Sequence, residues 1–491
     1  MPIVSTKEGV CISNKRKFPS TSATQFPDNA SRPFWSFKDT VSASDDFFDC
    51  YVAFKELNCH EYMWEWQDRK LDELLVNKLV KHYRAFFKKC PIGKGCFLTF
   101  KVNSPDALEK IGRLYMSVIS SNDFAQGQGM FTPPLFEVIH PPTSTSGMFR
   151  FSQLYNETVG MASEKLEHDC GPKILSVIPT HVFSGSKWYT NLNSYFAKFQ
   201  SSFRCRVDYF RPLIPRSSTA DSVGFIAATL ATKRALSSYA SFSKITGIDS
   251  RPIIDAGPLL FRGGLNPGSI DTFTKTYQGA RTVTLTSAFR YDYELDDVKR
   301  SVSKLNRLLP HKNATTFTQD DLAGLLRIEK IFARNFQKTM KSLPELGMIA
   351  DEVKILKRNV DPRLHLTFAL YSLGIPPEFI GTGKAILECI KQGLINDLER
   401  FYPNIKQDLK QASALLNSEN LRFLAKTDKA WKSVLNDVKL VEDYTDASLG
   451  PDSTEAFLHR NHTSNVFHLW STNRDFSRDL LAAARLRHCL G

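Results

Sequence analysis

Short runs of β-branched and aromatic residues alternate with stretches of helical period through the middle of the chain. Cys96–Val102, Leu135–Ile139, Ile174–Ile178, Phe203–Phe210, Pro252–Ile254 and Thr282–Thr286 read as strands. Between several of them, Asp106–Val118 and Val223–Leu236 repeat apolar positions three and four residues apart, as an amphipathic helix does. The alternation predicts repeated βα units and a mostly parallel sheet whose strands are buried on both faces. Many runs stop at Pro, Gly or polar residues: His140-Pro141-Pro142, Pro179-Thr180-His181, Arg211-Pro212, Asp255-Ala256-Gly257 and Ser287-Ala288-Phe289-Arg290. In a βα-barrel the loops after the strands form the active-site mouth, so Arg262 and Arg290 are expected to share a rim.

From about Asp296 onward the period is helical, as in Asp320–Phe336, Lys384–Arg400 and Asp475–Arg487. These helices are expected to pack around or beside the barrel. Gly381-Thr-Gly-Lys384 has Glu378 where a nucleotide-binding loop needs its first glycine, and it reads as a helix start.

Composition narrows the class. With 42% hydrophobic and 23% charged residues in 491, the chain is typical of a soluble globular protein. No apolar stretch approaches the ~20 residues of a membrane span, and Met1–Ser22 lacks the apolar core of a secretory signal. Nine scattered cysteines without a Cys-x-x-Cys pair fit free thiols in a reducing, cytoplasmic setting. His459 and His462 form an isolated pair, expected in a solvated loop rather than a zinc site. The net charge of +13 is an excess of 64 basic over 51 acidic residues spread along the chain. The basic run Lys81–Lys89 has helical spacing, with Val80, Tyr83, Phe86 and Phe87 apolar, so it reads as a solvated helix face and not a nucleic-acid surface. A small, multiply charged anion suits the excess equally well.

The strongest chemical signal is Arg251–Gly268, a buried-strand pattern running into a glycine-rich loop around Arg262. Gly263 and Gly264 let the backbone come close to a phosphate, and the arginine offers two of its oxygens a fork of donors. Taken alone, Arg-Gly-Gly reads more readily as a surface turn with one solvated arginine.

Ala23-Thr-Gln-Phe-Pro-Asp-Asn-Ala30 followed by Pro33-Phe34-Trp35 resembles the N-terminal signature of the archaeal-type phosphoenolpyruvate carboxylases, usually Ser-Thr-Gln-His-Pro-Asp-Asn. Glu61–Trp66, Phe136–Ile139 with Pro141–Ser146, Val177–Pro179, Phe261–Gly263, Ala369–Glu378 and Arg460-Asn461 are similar to further stretches of that family and keep its order. The resemblance covers nearly the whole chain and implies one unit over 1–491. Its fold would be α/β, a TIM-type barrel elaborated with helices, with a barrel part over about 95–300 and a mainly helical part over about 301–491. It further implies a homotetramer that joins bicarbonate to phosphoenolpyruvate with Mg2+ or Mn2+, giving oxaloacetate and phosphate. Arg262 matches the loop arginine expected to steady carboxyphosphate and CO2, and Arg216, Arg290, Arg363 and Arg460 match further basic positions expected to hold substrate.

Three positions depart from the family pattern. Phe26 stands where its proton-transferring histidine is expected, and Val182 and Ser218 stand where two metal-holding carboxylates are expected. A phenyl ring carries no titratable proton, and a hard divalent ion usually needs one or two carboxylates. Asp221, Asp255 and His181 lie nearby in sequence as substitutes. The resemblance therefore leaves two functions: phosphoenolpyruvate carboxylase with an altered site, or a non-catalytic relative acting as an anion-binding or assembly subunit. Either way Phe26, Val182 and Ser218 are expected to converge at the barrel mouth.

Overall fold

The computed structural model describes residues 9–12, 18–25, 27–37, 45–102, 108–130, 132–142, 144–167, 169–181, 187–311, 313–344, 346 and 362–491. Eight strands form one sheet: β1 (Thr21–Thr24), β2 (Glu61–Trp66), β3 (Phe97–Val102), β4 (Glu137–His140), β5 (Ser176–Pro179), β6 (Leu213–Ile214), β7 (Ile253–Ile254) and β8 (Thr282–Leu285). Neighbours are parallel and follow chain order, with Tyr62 opposite Leu98, Val138 opposite Val177 and Ile253 opposite Leu213. β8 returns to β1 through Thr284 and Ser22. Among the described residues one bridge, Thr180 to Leu213, links β5 to β6, supported by the His181 amide donating to the Leu213 carbonyl at 2.7 Å. The sheet is thus nearly closed as a TIM-type barrel wrapped in helices.

Alternation along the strands sorts side chains between two environments. Met63 points inward and packs with Ile139, Ile178, Leu213 and Ile253 in a small cluster inside the barrel. Its neighbours Tyr62 and Trp64 point outward into the larger core shared with the surrounding helices. A strand buried on both faces reads as largely apolar, which made Leu135–Ile139, Ile174–Ile178 and Pro252–Ile254 recognisable, and their strands lie in one sheet.

Two barrel strands, β1 and β2, precede the expected start near residue ~95, and these, like β6, carry little of that signal. β1 reads Thr-Ser-Ala-Thr, although all four residues are buried. β2 is interrupted by two glutamates, and β6 is two residues flanked by Pro212 and Pro215. The expected strand Phe203–Phe210 divides into Cys205–Val207 and Tyr209–Phe210, which pair outside the barrel with Gly9–Ile12 and Asp249–Ser250. Arg211-Pro212 therefore precedes β6 at the barrel's N-terminal end and does not close a strand at the mouth. Lys384–Arg400 is two helices, Thr382–Lys391 and Ile395–Phe401, because Gly393 turns the chain between them at φ 68°. His459 sits buried on the helix Thr454–Ser471 and not in a solvated loop. Seven described cysteines are free thiols, whereas Cys205 is disulfide-bonded, contrary to the all-thiol expectation.

The base of the barrel is sealed by charge. Arg211 donates to Glu61 at 2.8 and 2.9 Å and to Glu137 at 2.9 Å, with Thr99 on Glu61 and Tyr209 on Glu137. Burial alone would raise the Glu61 carboxyl, but the Arg211 charge and hydrogen bonds outweigh it and hold the group below its usual value.

Helices from Gln319–Met340 to Ser477–Leu486 enclose a second core, and the barrel loops reach into it through Phe225, Leu259, Phe261 and Ala288. The mouth loops are therefore anchored from the helical side. Among the described residues no helix is long and apolar enough to cross a membrane.

Candidate functional site

A cavity of about 460 Å3 opens where the strands end. Glu65, Lys101, Thr180, Ser218, Asp255 and Thr286 stand at or just past the C-terminal ends of β2, β3, β5, β6, β7 and β8 and line it. This is the end of a parallel barrel where loops from distant parts of the sequence meet.

Arg262 lines the cavity from a tight turn. Leu260–Arg262 is a single 3-10 turn, clasped by the Gly257 amide on the Arg262 carbonyl at 2.8 Å and the Gly264 amide on the Leu259 carbonyl at 2.9 Å. The guanidinium donates to Asp221 Oδ2 at 2.6 Å and to Thr367 Oγ1 at 2.7 Å. Gly263 and Gly264 serve the turn and do not line the cavity. Gly263 has φ 121°, and a Cβ there would stand 2.8 Å from the Ala256 Cβ. What comes close to that glycine is the protein itself.

The other expected arginines separate. Arg216 is wholly buried, donating to Tyr277 Oη at 2.9 Å, the Phe261 carbonyl at 3.0 Å and Thr229 Oγ1 at 3.0 Å, so it braces the Arg262 turn from behind. Arg290 grips both oxygens of Asp49 at 2.9 and 3.0 Å and holds the Thr24 carbonyl at the end of β1. Neither lines the cavity. Arg460 lies on the helix Thr454–Ser471 and lines a different groove with Lys410 and Arg422. Arg363 belongs to the helix Pro362–Ser372, and its side chain is outside the described residues.

Ser218, Asp221 and Asp255 all line the cavity. Phe26 and Val182 lie outside the described residues, while Thr24 and Thr180, two positions before each, are on the cavity wall. His181 is turned away: its Nδ1 meets Tyr239 Oη at 2.8 Å, and burial, aided by the Arg234 charge, pushes its imidazole down to about 3. Among the described residues no group of three His, Cys, Asp or Glu is placed to hold a metal ion.

Two wall residues escaped the reading of the sequence. Lys101, the penultimate residue of β3, lies 3.4 Å from Glu65 and is 27% exposed. A lone lysine at the end of an apolar strand was the available signal. Asp28, inside the N-terminal motif, accepts from Ser287 Oγ at 2.5 Å and the Ala288 amide at 2.8 Å, and burial raises its carboxyl against those bonds.

A nearly closed parallel barrel with its polar residues gathered at the strand ends is the architecture of a βα-barrel enzyme scaffold. The family model described as phosphoenolpyruvate carboxylase matches residues 18–491, and the chain belongs to that family. It is 30% identical to the phosphoenolpyruvate carboxylase of Leuconostoc mesenteroides over 97% of this chain and 99% of that one. Similar relatives are the phosphoenolpyruvate carboxylases of Oenococcus oeni, 28% identical over 92% of this chain and 94% of the other, and of Metallosphaera sedula, 29% over 90% and 93%.

Proposed function

We propose that the barrel mouth binds phosphoenolpyruvate and that this chain has lost the metal-assisted carboxylation of its family. The observation that carries the reading is one cavity in which Arg262 is retained while Ser218 stands where a metal-holding aspartate is expected. A serine hydroxyl is a weak anchor for a hard divalent ion. Asp221 is already engaged by Arg262 at 2.6 Å, and Asp255 accepts from Thr284 Oγ1 at 3.0 Å. The described residues therefore do not fit the family's metal.

Among the described residues the cations on the wall are Arg262 and Lys101, which hold the carboxylates Asp221 and Glu65. An incoming phosphate must compete with those carboxylates, so binding is expected to be weak. The family's substrate fits this arrangement in charge, since its phosphate and carboxylate require two cationic partners. Calorimetric titration with phosphoenolpyruvate, with and without Mg2+, tests the reading beside an assay of bicarbonate-dependent phosphate release with Mg2+ and then Mn2+. Weak binding indifferent to Mg2+ and no phosphate release are expected. Phosphate release would establish a working carboxylase with a relocated metal, the reading favoured by Asp221 and Asp255 lining one cavity. No binding at millimolar ligand would defeat both.

A further inference from the structure

The turn that carries Arg262 is held from the helical side by one buried carboxyl. The Phe261 amide donates to Glu378 Oε1 at 2.9 Å, and the Tyr371 hydroxyl donates to the same oxygen at 2.7 Å. Glu378 is 2% exposed, and its Oε2 has no hydrogen-bond partner. For stability alone this is a costly arrangement, since a buried carboxyl with an unused oxygen is disfavoured against an apolar side chain of similar size. Phe261 itself is buried in the helical core, so the turn is fixed by its side chain and its amide together.

We propose that Glu378 is a positioning residue for Arg262: it fixes the turn Leu259–Gly264 in the setting from which the guanidinium reaches the cavity. The proposal rests on the reading of the barrel mouth as an anion site, and it makes a residue of the helical part a control on that site. Glu378 faces the Tyr371 hydroxyl, the Phe261 amide and the Arg216 guanidinium, with Arg262 on the turn it holds. Burial pushes its carboxyl up to about 7, against the pull of Tyr371, its own amide, the Phe261 amide and Arg216. Ionised, Glu378 holds both donors by charge-assisted bonds; protonated, it holds them less firmly.

Two pH trends of opposite sign follow, and they separate positioning from mere support. A carboxyl whose folded value lies above its ordinary 4.5 adds stability below 4.5 that is lost as pH rises through about 7. Its grip on the turn, by contrast, strengthens over the same rise. Sulfate, whose charge is constant from pH 6 to 8, is the probe. By calorimetry its affinity for the wild type is expected to rise several-fold over that range while stability falls. Glu378→Gln, which keeps an acceptor but cannot titrate, is expected to give a flat profile. Glu378→Ala is expected to bind sulfate about tenfold more weakly, the loss of one such hydrogen bond. Hydrogen exchange of the peptide Leu259–Gly264, measured on each protein, reads the turn without any ligand and is expected to speed up in Glu378→Ala alone. A wild-type rise retained in Glu378→Gln, or wild-type exchange in Glu378→Ala, overturns the proposal. If Glu378→Ala does not fold, the Gln profile decides alone. If the wild type binds neither sulfate nor phosphoenolpyruvate, the anion-site reading has failed, and the exchange result still judges the positioning role.

Discussion

The two ends of the barrel hold the same kinds of side chain for opposite purposes. At the base, Arg211 lies between Glu61 and Glu137, both almost inaccessible, and the group closes the space between the strands. At the mouth, Arg262 donates to Asp221 and Thr367 and lines a cavity of about 460 Å3. The arginine at the base is enclosed by its carboxylates, whereas the one at the mouth borders open space that an anion could enter. The difference teaches that burial of an arginine says little about function until the space it borders is known.

Removing the charge at each end should break the comparison most plainly. Arg211→Met leaves two buried carboxylates without a counter-charge and is expected to cost about 3–5 kcal/mol of stability, read by denaturant unfolding. The folded fraction should bind phosphoenolpyruvate as before. A loss of affinity greater than the loss of stability would mean that the base also shapes the mouth. Glu61→Gln is milder, because Arg211 keeps Glu137, and is expected to cost roughly 1.5–3 kcal/mol. Its pH dependence carries a sign. The Glu61 carboxyl is held below its ordinary 4.5, so its contribution is complete above 4.5 and is lost as pH falls through the folded value. The stability gap between wild type and Glu61→Gln should therefore be full at neutral pH and close in acid; a gap constant with pH would refute the ion-pair account.

Arg262→Ala is the complementary change. It is expected to weaken phosphoenolpyruvate binding by roughly 1.5–3 kcal/mol while leaving the base intact. Binding indifferent to this substitution would make the turn a structural relic, and binding that requires Mg2+ would point to a relocated metal.

The sequence carried the barrel but not the direction of its arginines. β4, β5, β7 and β8 were legible because each centres on buried β-branched residues, such as Val138-Ile139, Val177-Ile178, Ile253-Ile254 and Val283, and is followed by Pro, Gly or polar residues. β1 was not, since Thr and Ser buried by neighbouring strands look like a loop until those neighbours are known. Arg262 was found through its glycine turn. Arg216 and Arg290 were placed on mouth loops, yet they point back into the protein, because what aims them is Tyr277 in the one case and Asp49 in the other, 61 and 241 residues away. Arg211 was read as the end of a strand and sits at the base, a consequence of mistaking Phe203–Phe210 for a barrel strand.

Lys101 gives the smallest and sharpest test. It is part exposed and 3.4 Å from Glu65, so water and salt screen it more than they screen Arg262, which is 4% exposed. If the mouth binds an anion through both cations, Lys101→Met should weaken phosphoenolpyruvate binding by only about 0.5–1 kcal/mol, in the range of a solvent-accessible ion pair. That loss should shrink as ionic strength rises, whereas the loss from Arg262→Ala should persist. Stability should hardly change, because the substitution frees Glu65 near solvent and buries no uncompensated charge. Calorimetric titrations of the two variants at low and high salt compare them directly. Equal salt sensitivity would show that both cations are solvated when the ligand binds, and the contrast between a paired, buried arginine and an accessible lysine would then fail at the mouth itself.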